Sequence, residues 1–148
     1  MDTIDGLKRI GDDKMRIEES GTRKWESFED LIAWQKARAL TKAVYLATRQ
    51  DPFARDFGLS GQMQRASVSI MSNIAEGYER GRPGEFFHFL CTAKGSCAEV
   101  RSQLYVALDV GYLKEAEFGQ LFSQADEAGR VVGGLRAAIE RKKDSRPR

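Results

Sequence analysis

His88 is the chain's single histidine, and Cys91 and Cys97 are its two cysteines. Zinc takes Cys, His or carboxylate ligands in sets of about four, and a nucleophilic site sets a base beside its nucleophile. One imidazole leaves little for either. On a helix the two cysteines would stand about 240° apart around the axis, so they cannot share a ligand. The sequence holds neither a Gly-x-Ser-x-Gly elbow nor a Gly-Lys-Ser/Thr phosphate loop. Asp12-Asp13 and Asp126-Glu127 are adjacent acids, and adjacent residues of a helix diverge instead of meeting on one substrate. His88, flanked by Phe87 and Phe89, reads as a packing or surface residue. No metal, cofactor or small-molecule substrate follows from these residue types, and the expectation is a protein without catalytic activity.

Charge offers the other chemistry. The chain has 24 Lys and Arg against 22 Asp and Glu, a net of +2, but they are unevenly placed. Six basic and seven acidic residues lie between Met1 and Glu26, whereas Arg141 to Arg148 holds five basic residues and one acid, a net of +4. A basic tail attracts phosphates in a salt-dependent manner. It also suits a helix C-terminus through the dipole, with no partner needed. The run GYERGRPG adds Arg80 and Arg82 beside Gly77, Gly81 and Gly84. Glycine backbone and arginines can cradle a phosphate, or the run can simply turn the chain. Arg80, Arg82, Arg141, Lys142 and Lys143 are therefore the candidate nucleic-acid contacts.

These residues must be positioned by helices. Residues 1–26 are highly charged and poor in large apolar side chains, which predicts a flexible extension; Ile10, Met15 and Ile17 would support a short helix only under a partner. The extension lacks the apolar centre of a secretory signal, and nowhere do about 20 apolar residues run together to span a membrane. Two cysteines fit a reducing cytoplasm. From Ser27 onward the apolar period is helical in four segments. The first starts at Ser27, with Asp30 placed for a capping box, and ends at Asp51-Pro52. Its predicted inner face is Phe28, Leu31, Ile32, Gln35, Ala39, Ala43 and Ala47. The second spans about Leu59 to Tyr78 on Met63, Ala66, Ile70 and Ile74. The third starts at Pro83, a favoured first helical residue, and stops before Gly111, with Phe86, Leu90, Ala93, Cys97, Val100, Leu104 and Leu108 inside. The fourth spans about Glu115 to Lys142 on Phe118, Leu121, Phe122, Ala125, Val132, Leu135 and Ile139. No strand-like alternation is expected anywhere. Short connections between long helices predict an all-α, antiparallel up-down-up-down four-helix bundle over residues 27–142, with residues 143–148 as a basic tail.

Polar stripes face each other across the second hairpin. Arg65, Ser69, Asn73, Glu76 and Arg80 share one face of the second helix, and Thr92, Ser96, Glu99 and Gln103 share one face of the third. Counting outward from Gly81 sets Arg65 and Glu99 at nearly equal height. The expectation is a half-buried Arg65–Glu99 ion pair inside a structural polar cluster of Arg65, Ser69, Asn73, Glu76, Ser96 and Glu99. The small residues of Ala93 to Ala98 would let the two backbones approach closely.

Several of these runs together resemble a known family. They are Phe28-Glu29-Asp30-Leu31, Trp34 to Arg38, Gly58-Leu59, Gln62 to Ala66, then Ser69-Ile70-Met71-Ser72-Asn73-Ile74-Ala75-Glu76-Gly77, and afterwards Glu85-Phe86, Phe89-Leu90, Ala93, Gly95-Ser96 and Glu99. The pattern resembles the four-helix-bundle family of 23S ribosomal-RNA intervening-sequence proteins, which also includes the accessory variability determinants of diversity-generating retroelements. The resemblance covers about Phe28 to Ile139. It implies a bundle that assembles into a barrel-like homopentamer and performs no catalysis. In the retroelement branch it implies binding to a reverse transcriptase and nucleic acid through basic surface. This body is slightly acidic, which departs from the strongly basic retroelement pattern, and residues 1–26 have no counterpart.

Two functional expectations follow. One is an oligomeric accessory protein that binds RNA or a nucleoprotein such as a reverse transcriptase complex. The other is a structural or protein-interaction ring with a protein partner and no direct nucleic-acid contact. Val44, Tyr45, Tyr105, Val106, Tyr112 and Val131 lie outside the tidiest stripes and serve either to complete the core or to join subunits.

Overall fold

The computed structural model describes residues 16–17 and 23–144. Most of the extension 1–26, with Ile10, Met15, Asp12 and Asp13, and the tail beyond Asp144 therefore lie outside the described residues. Two parts of the extension are described. Arg16–Ile17 (β1) pairs antiparallel with Arg23–Lys24 (β2), a two-residue ladder where no strand was expected, so Ile17 sits in a strand instead of a helix. Trp25, assigned by sequence to the extension, packs against the core, and its carbonyl accepts a hydrogen bond from the Tyr78 hydroxyl at 2.8 Å.

The signal at Ser27 marks a real turn, but not the start of the helix. Asp30 Oδ2 accepts from the Ser27 N–H at 3.2 Å and from the Glu26 N–H at 2.9 Å, closing a single 3-10 turn over Phe28–Asp30. Leu31 then turns extended, with ψ 122°, and buries its side chain. Helix α1 follows at Ile32–Thr48. Its inner face is Ala33, Ala37, Leu40, Val44 and Thr48, which corrects the predicted stripe: Ile32 and Ala39 face solvent. Alanines at 33, 37, 39, 43 and 47 surround this helix, so the apolar pattern alone did not fix which side turns inward.

The other three helices follow their predicted stripes except at Leu108, which lies outside the core while its neighbour Ala107 is buried. Helix α2 is Phe57–Glu79, α3 is Pro83–Asp109 and α4 is Glu115–Asp144. Asp56 caps α2 by accepting from the Leu59 N–H at 3.0 Å, and its other oxygen accepts from the Tyr112 hydroxyl at 3.0 Å. Tyr112 in turn stacks on Phe53, so the α1–α2 connection and the α3–α4 connection are tied at one end. Pro83 opens α3, and Gly111, at φ +83°, closes it in a conformation glycine adopts without cost. Acids in the first turn of α4 and Arg141, Lys142 and Lys143 in its last turn complement the dipole. The helix continues two residues past the predicted boundary, taking in Lys143 and Asp144.

Each helix packs against two others: α1 on α2 and α4, and α3 on α2 and α4. The four enclose a core of Leu40, Val44, Met63, Ile70, Ile74, Leu90, Val100, Leu104 and Val132, all fully buried. Each such side chain contributes about 1.5–3 kcal/mol through burial. Side-chain bonds link the pairs at defined heights. Thr41 Oγ1 donates to the Ser67 carbonyl at 3.1 Å, and Gln64 Nε2 donates to Thr48 Oγ1 at 2.9 Å. Between α3 and α4 the contacts step from Arg101–Asp126 through Lys94–Gly129 to Cys91–Arg136.

Cys97 lies in this core, and desolvation pushes its thiol from 9.0 up to about 11. The neutral thiol is thus favoured by the fold. Its contribution to stability is complete below pH about 9 and is lost as pH rises through about 11. At neutral pH a maleimide should label the half-buried Cys91 in the folded protein and reach Cys97 only on unfolding. Equal labelling rates at the two thiols would contradict this packing.

Candidate nucleic-acid interface

The register between α3 and α4 brings Lys143 level with the first turn of α3. Arg82 is the N-cap residue of α3, in extended conformation; its carbonyl accepts from the Phe86 N–H at 2.9 Å, and its side chain caps no amide. Pro83 lacks an N–H, and Gly84 has no side chain and nothing within 4 Å of where a Cβ would stand. His88 follows one turn later on the same side as Gly84. Lys143 reaches across from α4, with its Nζ 5.2 Å from the centre of the Phe87 ring. Arg82, Pro83, Gly84, Glu85, His88 and Lys143 together line a shallow cleft of about 550 Å³. Arg82, His88 and Lys143 are exposed. Among the described residues no carboxylate comes within ion-pair distance of Arg82 or Lys143.

Arg80 is different. Its guanidinium bonds Glu76 Oε1 at 3.1 Å, lies 3.9 Å from Glu85 Oε1 and sits over the Phe89 ring at 5.3 Å. Two carboxylates largely offset its charge, which removes it from the front rank of phosphate contacts. Arg141 and Lys142 are exposed on the last turn of α4, near the same end as the cleft. The sequence singled out the turn and the tail separately, and the fold joins them. Missed in the sequence were His88 as a cleft residue and Glu85 as a partner of Arg80. The four-residue spacing of Gly84 and His88, directly after Pro83, was the available signal.

The structural polar cluster divides in two. Ser69 Oγ and Ser96 Oγ meet across the α2–α3 seam at 3.1 Å, and Asn73 Nδ2 donates to Ser69 Oγ at 3.0 Å and to the Ser69 carbonyl at 2.8 Å. Glu76 turns to Arg80 within its own helix. The expected Arg65–Glu99 ion pair is not formed: both residues are exposed, and Glu99 accepts from Gln103 Nε2 at 3.3 Å. The Ser69–Ser96 contact explains why. At that register Arg65 is level with Val100, which is buried; Glu99, one position earlier, is rotated about 100° around the helix toward solvent. Height was read correctly and azimuth was not. Glu99→Ala should therefore cost about 0.5–1.5 kcal/mol, the worth of the one hydrogen bond it accepts from the buried Gln103, measured by urea denaturation. A loss of several kcal/mol would restore a buried partner.

Among the described residues no three His, Cys, Asp or Glu side chains cluster to hold a metal, and no helix is long and apolar enough to cross a membrane. Val44 belongs wholly to the core, whereas Tyr105 and Val106 are about half exposed. Tyr105 leans on Phe118 and Phe122, with ring centres 5.1 and 5.5 Å away. Leu46, Phe57 and Val110 are further exposed apolar side chains that the sequence reading did not single out, and Ile32, which it placed on the inner face, joins them.

These features define a four-helix bundle that gathers basic side chains at one end. The chain belongs to the 23S rRNA-intervening sequence protein family, whose description matches residues 29–134. A similar solved structure is the crystal structure of a protein with unknown function from the S23 ribosomal protein family of Bacteroides thetaiotaomicron. It aligns with a TM-score of 0.67 at 18% identity, over 73% of this chain and 97% of that one, and bears on the fold alone. Among curated proteins no match to the chain is found.

Proposed function

We propose that the protein is a non-catalytic accessory factor of the cytoplasm that assembles into a homopentameric ring and binds RNA, or a nucleoprotein such as a reverse transcriptase complex, through the basic end of its bundle. The observation that carries this reading is the convergence of Arg82 and Lys143, which are far apart in sequence, on one cleft beside Arg141 and Lys142. Phosphate contacts by Lys and Arg give affinity without sequence choice and depend steeply on salt. An up-down-up-down antiparallel course is supported by the stepped α3–α4 contacts and by the Ser69–Ser96 register. Assembly is supported by the half-exposed Tyr105 and Val106 and by Phe57, which is 83% exposed. A ring also repeats the basic end, so that five tails of +4 act together.

Fluorescence anisotropy with a structured RNA tests the binding. Affinity better than about 100 μM at physiological salt, falling steeply as salt is raised, is expected, because about 100 μM is the weak limit of non-specific nucleic-acid binding. The exposed apolar side chains favour the second reading, a ring whose partner is a protein. Recovery of a defined protein in a nuclease-treated pull-down, with no RNA bound by the purified chain, would select it.

A further inference from the structure

We propose that the cleft between the first turn of α3 and the last turn of α4 is a phosphate-binding site, in which the Arg82 guanidinium, the Lys143 ammonium and the His88 imidazole hold one phosphate group. This names the ligand chemistry of the basic end and rests on the RNA-binding reading above.

Three nitrogen-bearing side chains from two helices line one concavity. Arg presents a planar fork that matches phosphate oxygens in pairs, Lys supplies a point charge, and a neutral or charged imidazole can donate through an N–H. None of the three is neutralised by a carboxylate among the described residues. The one acid in the wall, Glu85, lies 3.9 Å from Arg80, which Glu76 also holds, so its charge is shared with a cation outside the cleft. Gly84 leaves its stretch of wall as open backbone. Lys143 rests its ammonium over the Phe87 ring, which keeps it at the rim and limits the freedom lost when a ligand binds. The volume, about 550 Å³, exceeds what a lone phosphate fills and leaves space for the sugar or base attached to it.

The phosphate can belong to a strand's 5′ end or to its backbone, and the test separates these. His88 is the only histidine in the chain, so its imidazole resonances in an NMR spectrum of the full-length protein report on this cleft alone. The protein is titrated with inorganic phosphate, with a short RNA carrying a 5′-phosphate and with the same RNA carrying a 5′-hydroxyl. A saturable shift of the His88 signals is expected with phosphate and with RNA. In the Arg82→Ala/Lys143→Ala variant, whose helicity is checked by circular dichroism, the affinity at His88 should fall by on the order of tenfold, as expected when one to two charge-assisted hydrogen bonds are removed. Tighter binding of the 5′-phosphorylated RNA assigns the site to strand ends; equal binding of the two RNAs, still weakened in the variant, assigns it to the backbone. Silence of His88, or an unchanged shift in the double variant, overturns the site. If RNA binds with unchanged affinity in that variant, the cleft falls and the RNA-binding reading stands. If phosphate shifts His88 and no RNA binds, the reading falls and the cleft remains.

Discussion

Gly77→Val is expected to destabilise the protein by about 3 kcal/mol, at or above the top of the usual range for overpacking a core. A Cβ at Gly77 would stand 2.6 Å from the Phe89 Cβ and 3.0 Å from the Phe86 Cδ1. The Phe89 Cβ is fixed to its backbone and cannot swing aside, so only a shift of α2 against α3 makes space. Even Gly77→Ala should cost about 1–3 kcal/mol, despite the gain of about 1 kcal/mol that alanine brings to a helix interior. The same change at Gly95 should have the opposite sign. Gly95 is exposed on α3 with nothing within 4 Å of its Cβ position, so Gly95→Ala should stabilise by about 0.5–1 kcal/mol. Urea denaturation of the two alanine variants reads the contrast directly. A stable Gly77→Val protein would show that α2 and α3 do not approach at that point.

Deleting Arg141 to Arg148 should weaken RNA binding more than any single substitution. It removes a net charge of +4 per chain, including Lys143 from the cleft wall. Ile139, the last buried residue of α4, is retained, so the bundle should still fold. The plot of log affinity against log salt should become shallower by about 0.9 for each phosphate that the shortened chain no longer neutralises. Affinity at physiological salt should fall more than tenfold, by the order of magnitude expected for one or two charge-assisted hydrogen bonds per chain. Anisotropy titrations at several salt concentrations measure both. An unchanged slope would place the RNA-binding surface elsewhere on the protein.

The fold was legible where large apolar residues recur at helical spacing. Met63, Ala66, Ile70 and Ile74 in α2, and Leu90, Cys97, Val100 and Leu104 in α3, could face only one way, and they are buried. Helix α1 was legible as a helix but not as an orientation, because small alanines line several of its sides and bury little area on any of them. The site was half legible. Residue type marked Arg82 and Lys143, but their meeting depends on the register of α3 against α4, which local sequence does not carry. The same limit produced the Arg65–Glu99 error. An error of one residue preserves height along a helix and moves a side chain through about a quarter turn, from the seam into water. The small-residue run at Ala93 to Ala98 suggested a close approach, and Ser96 does meet Ser69 across the seam at 3.1 Å; the tight point at Gly77 was not foreseen, and Gly95 points outward.

Native mass spectrometry of the full-length chain, alone and with a structured RNA, tests most directly whether this bundle works by gathering copies and nucleic acid. The expected result is a species near five times 16.6 kDa that takes up RNA at moderate salt and releases it as salt is raised. A single species at 16.6 kDa that leaves the RNA untouched would contradict it.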